Sequence, residues 1–273
     1  MIKKIYRIVS KKFALIFYNQ LSKIFEKFDY KIIPNLNNLN NYKSFYSKHT
    51  RRLIFKPKKE FISKITIDTS NYHSKLCDMG AKYETNKSQY NLNHHRTSFT
   101  TFYDILFSSF KDKKFNFAEI GIENNSSIKM WRKYFSKSNI YGLEYYLEKI
   151  NKAKQDKLKN TFYKLIDVSK KEDIANTFKS INKTFDIIID DSTHIVNHQI
   201  NIIEKVYPYL SKNGILIIED INRKNSKLTE SEYFIKLKKF RKFFKNIYFV
   251  EFFNTNMFTA NAKCEKILVL IKN

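Results

Sequence analysis

Phe117-Ala118-Glu119-Ile120-Gly121-Ile122 is the stretch whose reading decides the fold. Its apolar residues read as a strand over Asn116 to Ile122. A glycine lies at the carboxyl end of that strand, and an amphipathic run over Ser126 to Phe135 reads as a helix. Strand, glycine turn and helix in that order open a doubly wound α/β unit, whose ligands sit at the carboxyl ends of the strands. Glycine there lets the backbone approach the ligand. A dinucleotide fingerprint needs further glycines, but Glu123 and Asn125 hold the later positions. The Glu123 carboxylate would meet a pyrophosphate where a bare helix N-terminus is required. A cationic sulfonium would instead gain from acidic neighbours.

Working outward, the pattern is regular. A helix over Thr97 to Phe110 precedes the deciding strand. Beyond it the strands Ile140 to Glu144, Phe162 to Asp167, Phe185 to Asp190 and Gly214 to Glu219 alternate with helices near Leu147 to Leu158, Lys171 to Ile181 and Ile195 to Leu210. A helix over Glu230 to Phe244 precedes two closing strands, Ile247 to Phe253 and Lys266 to Ile271. Short β-branched strands alternating with helices predict a parallel sheet covered on both faces. Two final strands with no helix between them predict a C-terminal antiparallel hairpin. The expected fold is a Rossmann-like, mostly parallel seven-stranded sheet.

Acids close these strands. Glu144 ends the second, about 20 residues after Gly121, where a ribose diol is gripped in this architecture. Asp167 ends the third, placed to accept from an adenine amino group. Glu119, Gly121, Glu144 and Asp167 are therefore expected to bind a nucleoside cofactor, against the plainer alternative of surface acids at strand ends. The fourth and fifth strands end in Asp190-Asp191-Ser192-Thr193-His194 and Ile218-Glu219-Asp220. Asp191, Glu219 and Asp220 can converge on an oxygen-ligated Mg²⁺, which keeps waters that substrate hydroxyls displace. His194 can then take a hydroxyl proton as general base. An isolated histidine at that place would read as a loop residue, and its acidic surroundings argue for the catalytic role.

The chain has 273 residues, 42% hydrophobic and 16% aromatic, enough for one buried α/β domain and an appendage but not for two enzymes. Its formal charge of +25 invites an anionic partner. Lysine far outnumbers arginine, the better phosphate reader, and the Lys, Asn and Ile usage fits an AT-rich genome. The charge alone is therefore weak evidence for nucleic acid. The two cysteines, Cys77 and Cys264, lack metal-ligand spacing and fit a reducing compartment. No apolar run approaches a membrane span, and Phe13 to Tyr18 is too short for a signal peptide. The expected location is the cytoplasm, with peripheral contact at the inner face of the membrane as an option.

Residues 1 to about 30 read as a basic amphipathic helix carrying Ile5, Ile8, Val9, Phe13, Ile16, Phe17 and Leu21 at three-to-four spacing. Such a face suits packing in a homo-oligomer, or an anionic membrane. An Asn-rich loop follows Pro34, and Ile65 to Ile67 can form a short strand. The expected division is an N-terminal extension over 1–77 and a catalytic domain over 78–273.

The order of Ala81-Lys82-Tyr83-Glu84-Thr85-Asn86-Lys87, His94-His95, Phe102-Tyr103, Glu119-Ile120-Gly121-Ile122, Ser127-Ile128-Lys129-Met130-Trp131-Arg132, Asp190-Asp191-Ser192-Thr193-His194 and Ile218-Glu219-Asp220 resembles the metal-dependent sugar O-methyltransferases. These include enzymes of macrolide-sugar tailoring and relatives in bacterial surface-polysaccharide clusters. The resemblance covers roughly residues 78 to 273. It implies a class I methyltransferase fold and the methyl donor S-adenosylmethionine. It also implies Mg²⁺ on the residues matching Asp191, Glu219 and Asp220, and a base matching His194. The Lys82 to Lys87 segment resembles a cofactor-covering lead-in, which adds Thr85 to the cofactor-binding set, together with Asp190. Asn86 stands where an aspartate is usual, and Ser192-Thr193 where Gly-Ser is common. The expected acceptor is a sugar hydroxyl in a nucleotide-linked or lipid-linked glycan precursor. An RNA methyltransferase and a non-catalytic glycan-assembly scaffold are the alternatives. No RNA-binding module is recognisable, and the intact acids and histidine argue against decay.

Overall fold

The computed structural model describes residues 61–92, 97–221, 226–253 and 266–273. Eight strands make one sheet: β1 (Ser63–Asp68), β2 (Asn116–Ile120), β3 (Asn139–Glu144), β4 (Thr161–Leu165), β5 (Phe185–Asp190), β6 (Leu210–Ile218), β7 (Phe244–Phe253) and β8 (Lys266–Lys272). Their spatial order is β1-β7-β8-β6-β5-β2-β3-β4. The helices are α1 (Lys75–Lys82), α2 (Phe99–Leu106), α3 (Ser126–Tyr134), α4 (Leu147–Lys154), α5 (Lys171–Ile181), α6 (Val196–Val206) and α7 (Ser226–Leu237). Strands β6, β5, β2, β3 and β4 are mutually parallel, and β8 runs antiparallel to both β6 and β7. This is the expected Rossmann-like arrangement with an antiparallel pair of C-terminal strands.

Two expectations change. The sheet has an eighth strand, because β1 pairs in parallel with β7 from Ser63 against Tyr248 to Asp68 against Phe253. An edge strand with largely exposed side chains carries little hydrophobic alternation, so its pattern is faint in the sequence. The division at residue 77 consequently falls inside a single compact unit, Glu60–Asn273. The amphipathic helix expected over the first 30 residues, the Asn-rich loop and His94-His95 lie outside the described residues.

The chain runs outward through β2, β3 and β4, then returns to the other side of β2 as β5. Between β2 and β5 the crossovers diverge, which opens a crevice at the carboxyl edge. Hydrogen bonds hold the strand ends level there. Gly121 N donates to Leu143 O at 2.8 Å, Asp191 N to Ile120 O at 2.8 Å and Glu219 N to Asp190 O at 2.9 Å.

Alternation along the buried strands sorts side chains to two cores. Ala118, Ile120, Ile188 and Ile218 pack toward α5, α6 and α7. Phe117, Ile187, Ile189 and Ile217 pack toward Phe99 and Tyr103 of α2 and Trp131 of α3. The same alternation gives Glu119 and Glu219 to the α2 face.

Candidate active site

A cavity of about 710 Å³ opens at the crevice, lined by the 84–87 segment, the turn after β2, the ends of β3 and β4, and the loops after β5 and β6. Of the residues singled out in the sequence, Thr85, Gly121, Glu144, Asp167, Asp191, His194 and Asp220 line it. Glu119, Asp190 and Glu219 are buried behind that lining.

Gly121 has φ +88. A Cβ at this position would fall 2.9 Å from Ser192 Cα and closer still to the Asp191 carbonyl. The turn after β2 and the loop after β5 therefore approach each other only because residue 121 has no side chain. Glu123, Asn125, His194 and Asp220 also take positive φ, at 44, 68, 56 and 54. Non-glycine residues held in this region cost about 1–3 kcal/mol each and concentrate at functional sites.

The cavity has two chemically distinct walls. On one, Glu144 accepts from the backbone N–H groups of Ile122 and Glu123 at 3.2 Å each, and from Tyr145 and Tyr146 at 2.9 and 3.2 Å. Asp167 accepts from Ser169 N and Oγ at 3.0 and 2.6 Å and pairs with Lys170 at 3.0 Å. The Ser169 hydroxyl, chiefly, holds its carboxyl below the usual range. These acids are ordered by local donors, four backbone N–H groups on Glu144 and Ser169 with Lys170 on Asp167.

The other wall is crowded with acids. Lys87, 1% exposed, donates to Asp191 Oδ2 and Glu219 Oε2 and stands 3.3 Å from Glu119 Oε1. Tyr103 donates to Glu219 Oε1, and Ser127 donates to Glu119 Oε2 at 2.8 Å. Burial works against the Lys87 charge, but Asp191, Glu219 and Glu119 outweigh it and hold the ammonium protonated. Burial pushes Glu119 up to about 6 although Lys87 opposes the shift. Asp190 is likewise raised to about 6 by burial, with Ser192 donating to its Oδ1 at 3.2 Å from N and 2.6 Å from Oγ.

Asp191 turns its other oxygen toward His194, whose Nε2 is 4.0 Å from Asp191 Oδ1 and 3.5 Å from Asp220 Oδ2. One ligand atom from each of Asp191, His194 and Asp220 lies within 4.8 Å of the others. Asp220 Oδ1 is buried without a hydrogen-bond partner, and burial with the nearby Asp191 charge pushes Asp220 up to about 7. An orphaned carboxylate oxygen beside a second carboxylate is a donor pair that a hard divalent cation satisfies. The structure thus brings together Asp191, His194 and Asp220, but commits Glu219 to Lys87 and Tyr103.

A model of the methyltransferase domain family matches residues 123–262, more than half of the chain. The chain belongs to the methyltransferase domain family. This methyltransferase domain is 24% identical over 131 residues to the 8-demethyl-8-alpha-L-rhamnosyl tetracenomycin-C 2'-O-methyltransferase of Streptomyces olivaceus, covering 45% of this chain and 33% of that protein. It is 27% identical over 130 residues to the demethylmacrocin O-methyltransferase of Streptomyces fradiae, covering 45% and 31%. The match spans about a third of the length of these curated relatives. In structure it is similar to the MycE methyltransferase of the mycinamycin pathway, solved with Mg and SAH. That TM-score is 0.55 at 17% identity, over 74% of this chain and 55% of the other. At that identity the likeness speaks for the fold.

Lys87 is the site residue that sequence reasoning missed. It ends the Lys82 to Lys87 segment that resembles a cofactor-covering lead-in, but the sequence gives it no role of its own there. The available signal was indirect: Glu119, Asp191, Glu219 and Asp220 at one sheet edge require an internal cation.

Proposed function

We propose that this protein is an S-adenosylmethionine-dependent O-methyltransferase that acts on a sugar hydroxyl with the help of a divalent cation such as Mg²⁺. The observation that carries this reading is the single cavity in which Gly121, Glu144 and Asp167 face Asp191, His194 and Asp220. Its volume of about 710 Å³ lies within the usual range for small-ligand sites. Its acidic walls suit a sulfonium. The relative named for 2'-O-methylation of an alpha-L-rhamnosyl tetracenomycin supports the choice of acceptor.

Glu144 would accept from ribose hydroxyls through oxygens shared with its backbone donors, and Asp167 from an adenine amino group. Thr85, 3% exposed, closes the cavity from the 84–87 segment. Asp191 and Asp220 would hold the cation, which when bound polarises the acceptor hydroxyl and lowers its pKa. His194, as the neutral imidazole, takes the hydroxyl proton at Nε2 while Asp220 and Asp191 stabilise the imidazolium that results. Walls that hold donor and acceptor in one crevice supply much of the remaining rate by orientation. A nucleotide-linked or lipid-linked glycan precursor fits the net positive charge of the chain, and the cytoplasm is the location this reading proposes. Among the described residues no helix is long and apolar enough to cross a membrane.

The test is methyl transfer from labelled S-adenosylmethionine to a panel of nucleotide sugars and glycan precursors, with EDTA or Mg²⁺. Labelled sugar formed with Mg²⁺ and lost with EDTA is expected. Label appearing in RNA, with no labelled sugar, would overturn the reading.

A further inference from the structure

Asp220 stands at the turn after β6 with φ 54, a conformation that is costly for a residue other than glycine and persists only where its surroundings impose it. Two peptide planes set its backbone, and a distant group holds each of them. The Glu219 carbonyl accepts from Gln199 Nε2 at 3.1 Å, and Ile221 N donates to the Lys266 carbonyl at 2.8 Å. One step earlier, Glu219 N is fixed to Asp190 O at 2.9 Å. Of these three bonds only the one from Gln199 is made by a side chain.

Gln199 projects from α6 and is 1% exposed, so its amide has to be paired inside the protein. Tyr233 of α7, fully buried, donates its hydroxyl to Gln199 Oε1. A phenol O–H on the amide oxygen fixes which way the amide faces and leaves the NH₂ group for the Glu219 carbonyl. Neither Gln199 nor Tyr233 lines the cavity, so any effect of theirs on the site passes through the turn.

We propose that Gln199 is a positioning residue, oriented by Tyr233, that holds the turn after β6 in the conformation that presents Asp220 to a divalent cation. This rests on the reading that Asp220 helps to hold such a cation. Without the Gln199 bond the 219–220 peptide is free to rotate out of its costly conformation, and the Asp220 carboxylate leaves the neighbourhood of Asp191 and His194. Gln199→Met, similar in length and uncharged, should lose about tenfold in Mn²⁺ affinity, the scale on which partners that orient metal-binding groups act. Tyr233→Phe, which leaves the amide unoriented, should lose about threefold. Because Tyr233 acts through Gln199, adding Tyr233→Phe to Gln199→Met should cost nothing further.

The experiment is Mn²⁺ titration, followed by electron paramagnetic resonance of the free ion, on the full native chain, the two single variants and the double variant, with urea unfolding of each. Weaker Mn²⁺ binding in both single variants, and a double variant no weaker than Gln199→Met, are expected. A pair that merely supports the packing of α6 on α7 would lower the urea midpoint and leave Mn²⁺ affinity native in the folded protein. Native affinity in either single variant therefore overturns the proposal, and Tyr233→Phe keeps that test open even if Gln199→Met fails to fold. Additive losses in the double variant overturn it as well. No Mn²⁺ binding by the native protein would instead overturn the cation-site reading beneath it.

Discussion

Glu144 and Glu219 are the same residue type at the same edge of one sheet, and both are buried, yet they live in opposite electrostatic settings. Glu144 takes four backbone N–H groups, two from the turn after β2 and two from its own chain continuation. Those donors are neutral and fixed by the strand ends, so the donor wall is complete without any foreign ion. Glu219 is served by one ammonium, shared with Asp191 and Glu119, and by one phenol. Four acids, Glu119, Asp191, Glu219 and Asp220, face that single ammonium. Backbone donors build a wall that is ready for a nucleoside, and a deficit of positive charge builds one that needs a cation.

The largest expected effect breaks the acid wall alone. His194→Ala lowers turnover by about 10²–10⁴, the usual contribution of a general base, while donor affinity measured by calorimetry stays native. Unchanged turnover would remove His194 from the mechanism. Gly121→Ala attacks both walls together, because its Cβ would meet Ser192 Cα at 2.9 Å in a backbone at φ +88. Urea unfolding should show a loss of about 2–3 kcal/mol; native stability would mean that the two turns can separate at little cost.

The next effect sharpens the contrast through pH. Glu119 ionises near 6 in the folded protein against an ordinary value of 4.5, because burial disfavours its charge more than Lys87 favours it. A carboxyl raised on folding contributes stability that is complete below the unfolded value and is lost as pH rises through the folded one. Between about pH 4.5 and 6 that loss amounts to about 2 kcal/mol. Glu119→Gln cannot ionise, so its stability relative to the native protein should improve by that amount over the window, measured by urea melts at stepped pH. A pH-independent difference would mean that Glu119 is not strained by its burial. The smallest effect lies on the donor wall. Asp167→Asn should weaken S-adenosylmethionine binding about fivefold, the scale of one hydrogen bond, and leave Mn²⁺ affinity untouched. Loss of both would show that the walls are not separable.

Much of this was legible in the residues and some was not. The seven strands from β2 to β8 announce themselves by β-branched runs, and the acids at their ends mark the carboxyl edge. Helix ends shift where local structure tightens: the helix expected over Thr97 to Phe110 is α2 to Leu106, followed by a 3₁₀ turn at Ser108–Phe110. Pro208 likewise turns the end of the helix expected over Ile195 to Leu210 into a 3₁₀ segment. What strand-end spacing does not show is which face a carboxylate takes. Glu119 follows Phe117 and Glu219 follows Ile217 onto the α2 face, where Lys87 and Tyr103 wait beneath the helices. Asp190 follows Ile188 into the opposite core. By register Glu144 shares the face of Glu119, so alternation alone does not separate the buried acids from the cavity-lining ones; Glu119 lies deeper along its strand. The family resemblance implies Glu219 at the metal, and the lysine that pairs with it in the structure is 132 residues away in sequence.

The most direct test of the two-walled site is a calorimetric titration of the EDTA-treated protein with S-adenosylmethionine. A donor wall built from backbone and side-chain donors alone binds the ligand one to one with the divalent cation removed. Absence of binding up to millimolar donor would contradict the account at its centre.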